Sequence, residues 1–160
     1  MKQITEQQAL SKLTALCSQS EHCSQDALEK MQKWGLTKEA QARNMAYLIQ
    51  EKYIDDNRFA LFFINDKIKY NQWGRRKIEQ ALYVKHISKD ISDPIFEGIP
   101  DETYLEVLRP LLKNKHKNIH AKNEYELNLK LIKFALGRGF SMDLIKQCLD
   151  NIEEIPDNDF

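Results

Sequence analysis

The segment Lys33-Trp34-Gly35-Leu36-Thr37 ends one helix-like run and begins the next, and the chain repeats this pattern twice more. The other copies are Lys85-His86-Ile87-Ser88 and Arg138-Gly139-Phe140-Ser141, which place the hydroxyl residues 51 and 53 residues apart. A period of this length indicates a supersecondary unit that is copied along the chain and stacks on its neighbours. The sequence therefore predicts a helical repeat protein with a long binding surface rather than a compact catalytic pocket.

The glycine in this pattern predicts how each helix ends. Gly35 and Gly139 can adopt the left-handed backbone conformation of a Schellman cap, in which the following apolar residue folds back onto the helix. His86 takes the same position in the middle copy, where histidine is tolerated at positive φ. The hydroxyl residues are expected to be the N-caps of the helices that follow. They are Thr37, Ser88 and Ser141.

The residue composition favours helices over sheets. The 160 residues include only five glycines and four prolines, while Leu, Ile, Lys, Glu, Gln and Ala dominate. No apolar run approaches the length that crosses a membrane, and the N-terminus lacks the apolar region of a signal peptide. The three cysteines, Cys17, Cys23 and Cys148, include no C-x-x-C pair. The sequence therefore predicts a cytoplasmic protein with reduced thiols and no disulfide or zinc framework.

The net charge of zero conceals a segregation of charge along the chain. Residues 1–66 carry 8 basic and 9 acidic side chains, whereas residues 67–149 carry 16 basic and 10 acidic ones. Residues 150–160 carry five acidic side chains and no basic one. A basic body indicates an anionic partner. The acidic end either competes with that partner for the basic face or is only a solubilising tail, and the sequence favours neither.

The apolar periodicity divides the chain into three units of three helices each. We predict three-helix repeats at residues 1–54, 55–100 and 101–152, followed by an acidic C-terminal tail at 153–160. The predicted fold class is all-α, with three tandem three-helix repeats that form an elongated, curved array. The sequence contains no strand run with turn punctuation and no β-hairpin signal.

Three local expectations concern the second and third units. The helix that begins near residue 56 is apolar almost all round, with Phe62 among its apolar residues, and is expected at the centre of the molecule. Asp93-Pro94 is expected to restart a helix, because proline suits the first helical position. Pro110 is expected to kink or end its helix, and residues 113–122 are expected to form a basic joint.

Two basic groups are candidates for partner contact. The first interleaves cations with aromatic residues and suits phosphates, carboxylates or unpaired bases; the alternative is a solvated helix start with Trp73 in the core. The second lies between residues 107 and 123, where no acid occurs; the alternative is a flexible charged loop. The first group consists of Lys67, Lys69, Arg75, Arg76 and Lys77, with Tyr70 and Trp73. The second group consists of Arg109, Lys113, Lys115, Lys117 and Lys122. Three further cations are expected to extend the surface: Lys130, Lys133 and Arg138.

Signs of catalysis or metal binding are weak. His116 and His120 have a spacing that can bind zinc on a helix, but they lack an intervening Glu and any nearby cysteine. Asp55-Asp56 fits a helix cap better than an acid–base pair, because adjacent side chains diverge. The sequence has no glycine-rich phosphate loop and no nucleophile elbow. We therefore expect no enzyme activity and no metal site.

The segment Tyr53-Ile54-Asp55-Asp56-Asn57-Arg58-Phe59-Ala60 resembles the hallmark YIDD-x-RFA segment of the RecX family, which regulates the bacterial recombinase RecA. Gly74-Arg75-Arg76-Lys77-Ile78 resembles the family's glycine that is followed by basic residues at the start of a helix. Lys33-Trp34-Gly35 resembles the family's Lys-Gly turn, and residues 138–141 resemble its RGFS turn. The hallmark segment is interpreted as mainly architectural: Asp55 and Asp56 cap, Phe59 packs, and Arg58 pairs with an acid. The chain departs from the pattern at His86, where the family often has glycine, and at Pro110.

The resemblance implies a non-enzymatic regulator that acts in DNA repair and the SOS response. RecX proteins bind RecA, particularly its filament on single-stranded DNA, and limit filament extension, strand exchange and co-protease activity. The implied protein needs no cofactor, has no membrane contact and is expected to be a monomer. Contact with single-stranded or duplex DNA is a further expectation. The alternative is a helical transcription regulator that reads DNA directly, with the helix from Arg75 to Lys85 as its candidate recognition helix.

Overall fold

The computed structural model describes residues 4–149, which contain nine α-helices and no β-strand. The predicted all-helical fold is therefore confirmed, whereas the predicted acidic tail lies outside the described residues. No helix among residues 4–149 is long and apolar enough to cross a bilayer. The helices are α1 (Glu6–Gln19), α2 (Ser24–Lys33), α3 (Lys38–Gln50), α4 (Asp56–Lys69), α5 (Arg75–Val84), α6 (Lys89–Glu97), α7 (Asp101–His116), α8 (Glu124–Gly137) and α9 (Met142–Cys148).

The three recurring turns have the predicted conformation. Gly35, His86 and Gly139 lie at φ of 81°, 58° and 94°. In each turn the next residue donates its N–H to the carbonyl five residues earlier, as in a Schellman cap. These bonds are Leu36 to Met31 at 3.1 Å, Ile87 to Leu82 at 3.0 Å, and Phe140 to Ala135 at 3.2 Å.

The predicted hydroxyl caps are also present. Thr37 Oγ1 accepts the Ala40 N–H at 3.1 Å, Ser88 Oγ accepts the Asp90 N–H at 3.1 Å, and Ser141 Oγ accepts the Leu144 N–H at 3.3 Å. Each bond satisfies a donor that the first turn of a helix leaves unpaired. The repeated pattern therefore specifies both the end of one helix and the start of the next.

Two further residues adopt the left-handed conformation although neither is glycine. Lys52 lies at φ 61° and Gln72 at φ 58°. In each turn an arginine side chain donates a hydrogen bond to a backbone carbonyl. Arg58 Nη2 donates to the Lys52 carbonyl at 3.1 Å, and Arg138 Nη1 donates to the Asn71 carbonyl at 3.0 Å. The Arg138 contact joins residues 67 positions apart, whereas the Arg58 contact joins residues six positions apart.

Helix α4 is half-buried, so the expectation that it is surrounded by core is wrong. Phe62 is 56% exposed and Leu61 is 52% exposed. Its buried face consists of Phe59, Ala60, Ile64 and Ile68. The count of apolar residues overstated the burial because it ignored which side of the helix each residue occupies.

Neither internal proline interrupts its helix. Helix α6 begins at Lys89, after the Ser88 cap, and contains Pro94, so the predicted restart at Asp93-Pro94 is wrong. Helix α7 continues past Pro110 to His116, so the predicted basic joint is shorter than 113–122. Leu108, Leu111 and Leu112 are buried on both sides of the exposed Pro110. Their packing offsets the lost backbone hydrogen bond.

The chain forms two compact units, of which one comprises Met1–Phe63 and Leu82–Ser92 and the other Ile64–Ala81 and Asp93–Phe160. We call them the first unit and the second unit. The core of the first unit contains Leu13, Ala27, Met31, Leu48 and Ile54. In the second unit α7 packs against α8 and α9, with Leu108, Ile132 and Ile145 fully buried. The division into three repeats stays a prediction.

Candidate partner-binding surface

The turn between α8 and α9 packs directly on the joint before α5, within the second unit. The Gly74 N–H donates to the Arg138 carbonyl at 2.8 Å, and the Arg76 N–H donates to the Gly139 carbonyl at 3.2 Å. A Cβ atom at Gly74 would lie 2.5 Å from the Gly139 backbone, and one at Gly139 would lie 2.5 Å from the Lys77 nitrogen. Both positions therefore require glycine. This glycine contact fixes the first turn of α5, which carries the basic residues.

The Arg138 side chain also contacts the joint before α5. Its Nη1 donates to the Asn71 carbonyl at 3.0 Å, and its guanidinium lies 5.2 Å from the centroid of the Phe134 ring. The side chain is half-buried. The geometry favours a positioning role for Arg138 over the partner contact that its charge predicts.

The other cations of the first basic group surround aromatic rings. The ammonium groups of Lys67 and Lys77 lie 5.7 Å and 4.9 Å from the centroid of the Trp73 ring, and that of Lys69 lies 5.2 Å from the Tyr70 ring. Trp73 is half-buried and Tyr70 is 70% exposed. Cation–π contact of this kind holds the amines at the surface beside the rings. We call these five residues the aromatic–cation cluster: Lys67, Lys69, Tyr70, Trp73 and Lys77.

The two arginines at the start of α5 have different surroundings. Arg75 forms ion pairs with Glu79 at 3.3 Å and Asp93 at 3.8 Å, and its guanidinium lies 4.9 Å from the Phe96 ring centroid. Arg76 is exposed and forms no ion pair with residues 4–149. The first turn of α5 holds no acid, so its cations face the positive end of the helix dipole. Arg76 is therefore the cation best placed to attract an anion.

The second basic group is dispersed, and several of its members have intramolecular partners. Lys115 lies with its ammonium 4.8 Å from the Phe134 ring centroid, on the same ring as Arg138. Arg109 pairs with Glu102 at 2.7 Å, and Lys130 pairs with Glu126 at 3.3 Å. Lys113 and Lys117 are exposed in the last turn and at the end of α7, and Lys122 and Lys133 are exposed as well. Lys115 thus shares the Phe134 ring with Arg138.

The hallmark segment lies in the first unit and connects α4 to α2. Asp55 Oδ1 accepts the N–H groups of Asn57 and Arg58 at 3.0 and 3.1 Å and so begins α4. Asp56 Oδ1 accepts the Ser24 N–H at 2.8 Å and thereby caps α2 instead. Arg58 pairs with Glu21 at 2.7 Å, as expected. Ile54, Phe59 and Ala60 are buried, and the Tyr53 ring stacks on Tyr47 at 6.3 Å.

A second charged network of the first unit was missed in the sequence. Lys85 Nζ donates to Asp26 Oδ1 at 3.0 Å, while Asp26 Oδ2 accepts the Cys23 N–H at 3.2 Å. Burial alone would raise the pKa of Asp26, but the hydrogen bonds from Lys85 and Cys23 outweigh it and the pKa is lowered. Burial raises the pKa of the Cys23 thiol to about 11. Lys85 is 59 positions from Asp26 and 62 positions from Cys23, so no local signal in the sequence pairs it with either residue.

The first unit also exposes apolar side chains that the sequence assigned to the interior or left unassigned. Tyr83 is 81% exposed and Val84 is 72% exposed, at the end of α5. The others are Tyr47, Ile49, Leu61 and Phe62. Exposed apolar groups of this size mark candidate protein contacts when they adjoin one another.

No group of three or more His, Cys, Asp or Glu side chains able to hold a metal ion occurs among residues 4–149. His116 lies in the last turn of α7, and His120 lies beyond the end of that helix. The His120 carbonyl accepts the Lys130 Nζ at 2.7 Å. The two histidines therefore do not share one helix, which is what zinc binding at this spacing requires.

Comparisons with known proteins give one family. The family model described as "RecX, second three-helix domain" matches residues 55–93, and the one described as "RecX, third three-helix domain" matches residues 102–149. The regulatory protein RecX of Clostridium botulinum (strain Alaska E43 / Type E3) is 30% identical over 120 residues, covering 74% of this chain and 56% of that protein. The RecX of Lactobacillus johnsonii is 26% identical over 128 residues, covering 80% and 47%.

Two crystal structures share the fold. One, of regulatory protein RecX, has a TM-score of 0.81 at 19% identity and covers 89% of this chain and 72% of its own. The other, of RecX from Lactobacillus salivarius, has a TM-score of 0.79 at 16% identity and covers 94% and 97%. The chain spans about half the length of the curated relatives described above. The two matching three-helix domains, the shared fold and the YIDD-x-RFA segment together show that this chain belongs to the RecX family.

Proposed function

We propose that this protein regulates RecA recombinase without enzymatic activity of its own. It binds RecA and the RecA filament on single-stranded DNA and inhibits filament extension, strand exchange and co-protease activity. Family membership supports the general role. The observation that carries the proposal is the second unit's surface, where the glycine contact positions Arg76 and Lys77 and where Lys67 and Lys77 lie over the Trp73 ring.

The chemistry of this surface suits an acidic protein surface or a phosphate backbone. Guanidinium and ammonium groups bind carboxylates and phosphates through charge-assisted hydrogen bonds. The exposed Tyr70 ring adds apolar area, and tyrosine and arginine are common energetic centres of interfaces. The proposed contact residues are therefore Lys67, Lys69, Arg76 and Lys77, with Lys113 and Lys117 as outlying members.

Direct DNA reading by α5 has less support. A recognition helix needs exposed polar side chains along one face that reaches base edges. Arg75 is held by Glu79, Asp93 and Phe96, and the far end of α5 exposes Tyr83 and Val84. These contacts leave Arg76 and Lys77 as the available cations, which favours contact with phosphates or carboxylates over sequence reading.

The test is RecA-dependent ATP hydrolysis on single-stranded DNA, with RecA from the same organism. We expect substoichiometric amounts of the protein to slow hydrolysis and filament extension. The double variant Arg76→Glu, Lys77→Glu should raise the half-inhibitory concentration at least about tenfold, the effect of about 1.4 kcal/mol of binding free energy.

The matched control reverses two exposed cations of the first unit, Lys33→Glu and Lys38→Glu. This control changes net charge equally and should retain inhibition within about threefold. Unchanged inhibition by the Arg76 and Lys77 variant, or no inhibition by the unaltered protein across a wide titration, contradicts the proposal. Circular dichroism verifies that the variants keep their helical content.

A further inference from the structure

A cavity of about 520 Å³ lies within the second unit, between α5, α7 and the α8–α9 turn. Its size falls in the range of small-ligand sites. Apolar side chains provide much of the lining, among them Phe96, Ile99, Phe140 and Met142. Charged residues complete it: Arg75, Arg76, Glu79 and Asp101.

One lining residue, Tyr104, carries a buried polar group without a partner. Tyr104 is 5% exposed, and its hydroxyl makes no hydrogen bond with residues 4–149. A buried hydroxyl left unpaired costs folding free energy, so its persistence calls for an explanation. Burial raises the pKa of Tyr104 to about 12, so the group is a neutral phenol that can donate a hydrogen bond. The charges of Arg75, Glu79 and Asp101 also act on this phenol, and all three residues line the same cavity.

The lining restricts the class of ligand. An aliphatic side chain would leave the Tyr104 hydroxyl unpaired, and a carboxylate would face Glu79 and Asp101. A nucleobase offers a flat apolar body, ring acceptors for the phenol and exocyclic amines that can donate to the two carboxylates. The exposed Arg76 at the cavity's edge suits the phosphate that accompanies a base. A nucleotide therefore offers partners for the Tyr104 hydroxyl, for Arg76 and for the two carboxylates of the lining.

We propose that this cavity binds one nucleotide, with its base toward Tyr104 and its phosphate at Arg76. This proposal rests on the proposed function, in which the partner is a filament that contains single-stranded DNA. The same chemistry has two sources: an unpaired nucleotide of a single strand, or a free nucleoside monophosphate. The Tyr104 hydroxyl is shielded from solvent, so contact with the base requires a lining side chain to move; the lining includes the unbranched, half-buried Met142, a residue type that adapts its conformation readily.

The test is direct binding to the full chain in the absence of RecA. The probes are dAMP and dCMP, and short single-stranded oligodeoxyadenylate and oligodeoxycytidylate, titrated by calorimetry and fluorescence anisotropy. Tyr104→Phe should weaken binding about three- to tenfold, the effect of one hydrogen bond, while the midpoint of urea unfolding stays equal or rises. Met142→Trp should fill the cavity and abolish binding. Tyr83→Phe, which removes an exposed hydroxyl of the first unit, should leave affinity unchanged.

The outcomes separate the sources and the proposals. If the oligonucleotides bind, the monophosphates do not, and Tyr104→Phe weakens the binding, the site is supported and its ligand is a nucleotide of a single strand. If the oligonucleotides and the monophosphates both bind, free nucleotides are ligands as well. The proposal is overturned if no probe binds or if Tyr104→Phe leaves the affinity unaltered. If Met142→Trp fails to fold, the Tyr104→Phe result alone decides the proposal. Because the titration contains no RecA, its failure leaves the proposed function standing. Loss of RecA inhibition by the unaltered protein would instead reject that function while nucleotide binding persists.

Discussion

The two compact units use their charges in different ways. Within residues 4–149, the first unit carries 9 basic and 9 acidic side chains, whereas the second carries 14 basic and 10 acidic ones. In the first unit, basic groups bridge distant carboxylates, as in Arg43–Glu6, Arg58–Glu21 and Lys85–Asp26. In the second, the ion pairs mostly join residues close in sequence, as in Arg75–Glu79, Arg109–Glu102 and Lys130–Glu126, and further cations lie over the rings of Trp73 and Phe134.

This difference separates charge that holds the fold from charge that remains for a partner. An ion pair neutralises its cation, whereas a cation over an aromatic ring keeps its full charge at the surface. Within residues 4–149 the first unit has no net charge and exposes apolar groups such as Leu61 and Phe62, while the second has four more basic than acidic side chains (14 − 10), among them the exposed Arg76. An anionic partner should contact the second unit.

The largest expected effect tests how the second unit positions its cations. Gly74→Ala places a Cβ atom 2.5 Å from the Gly139 backbone, a contact that no side-chain rotation relieves. We expect a loss of about 3 kcal/mol in the free energy of unfolding, measured by urea titration.

Gly137→Ala is the matched control, because nothing lies within 4 Å of the added Cβ atom and Gly137 ends α8. It should leave stability unchanged or raise it by up to about 1 kcal/mol. Equal stability of the two variants would show that the glycine contact does not fix the start of α5.

The next effect tests the ion pairs of the first unit. Asp26→Asn removes the charge that Lys85 and the Cys23 N–H stabilise, and we expect a loss of about 1–2 kcal/mol at pH 7. Because the folded-state pKa of Asp26 lies below its ordinary value of 3.8, the unaltered protein has this stability above that pH and loses it as pH falls through the folded pKa.

Urea titrations between pH 7 and pH 3 measure this dependence. The difference between the unaltered protein and Asp26→Asn should shrink as the carboxylate is protonated. Glu29→Gln, at an exposed position of α2, should show little effect at any pH. A constant difference across the pH range would contradict the assigned role of the Asp26 charge.

The smallest effect concerns a turn of the first unit. His86→Gly relieves a residue at φ 58° and should raise the free energy of unfolding by about 0.5–1 kcal/mol. His86→Ala keeps the Cβ atom in the left-handed conformation and should give no gain. Thermal unfolding of the two variants measures the difference, and a gain for alanine equal to that for glycine would place the strain elsewhere.

Much of the fold follows from local sequence, and the errors arise where tertiary packing overrides a local signal. The positive φ of Gly35, His86 and Gly139 follows from a short pattern, because a Schellman cap involves only neighbouring residues. Pro94 and Pro110 misled the prediction, because the burial of Phe96 and Leu111 on the same helices outweighs one missing hydrogen bond.

The candidate site shows a different balance. The basic residues of the second unit are evident in the sequence, but their surroundings are not. Arg75 and Arg76 are adjacent, yet Asp93 and Phe96 engage the first and not the second. The carbonyl partner of Arg138 is 67 residues away, at Asn71. No spacing rule distinguishes such residues, because the distinction depends on which segments fold together.

The sequence by itself determined the helices, their caps, the three recurring turns and the hallmark segment, because each depends on contacts within a few residues. Only the tertiary structure decided that Gly74 and Gly139 touch, that Asp56 caps α2, that Phe62 is exposed, and that the Tyr104 hydroxyl lacks a partner. Close packing brings distant residues within a few ångströms of each other, and this proximity sets which charges are neutralised and which remain for a partner.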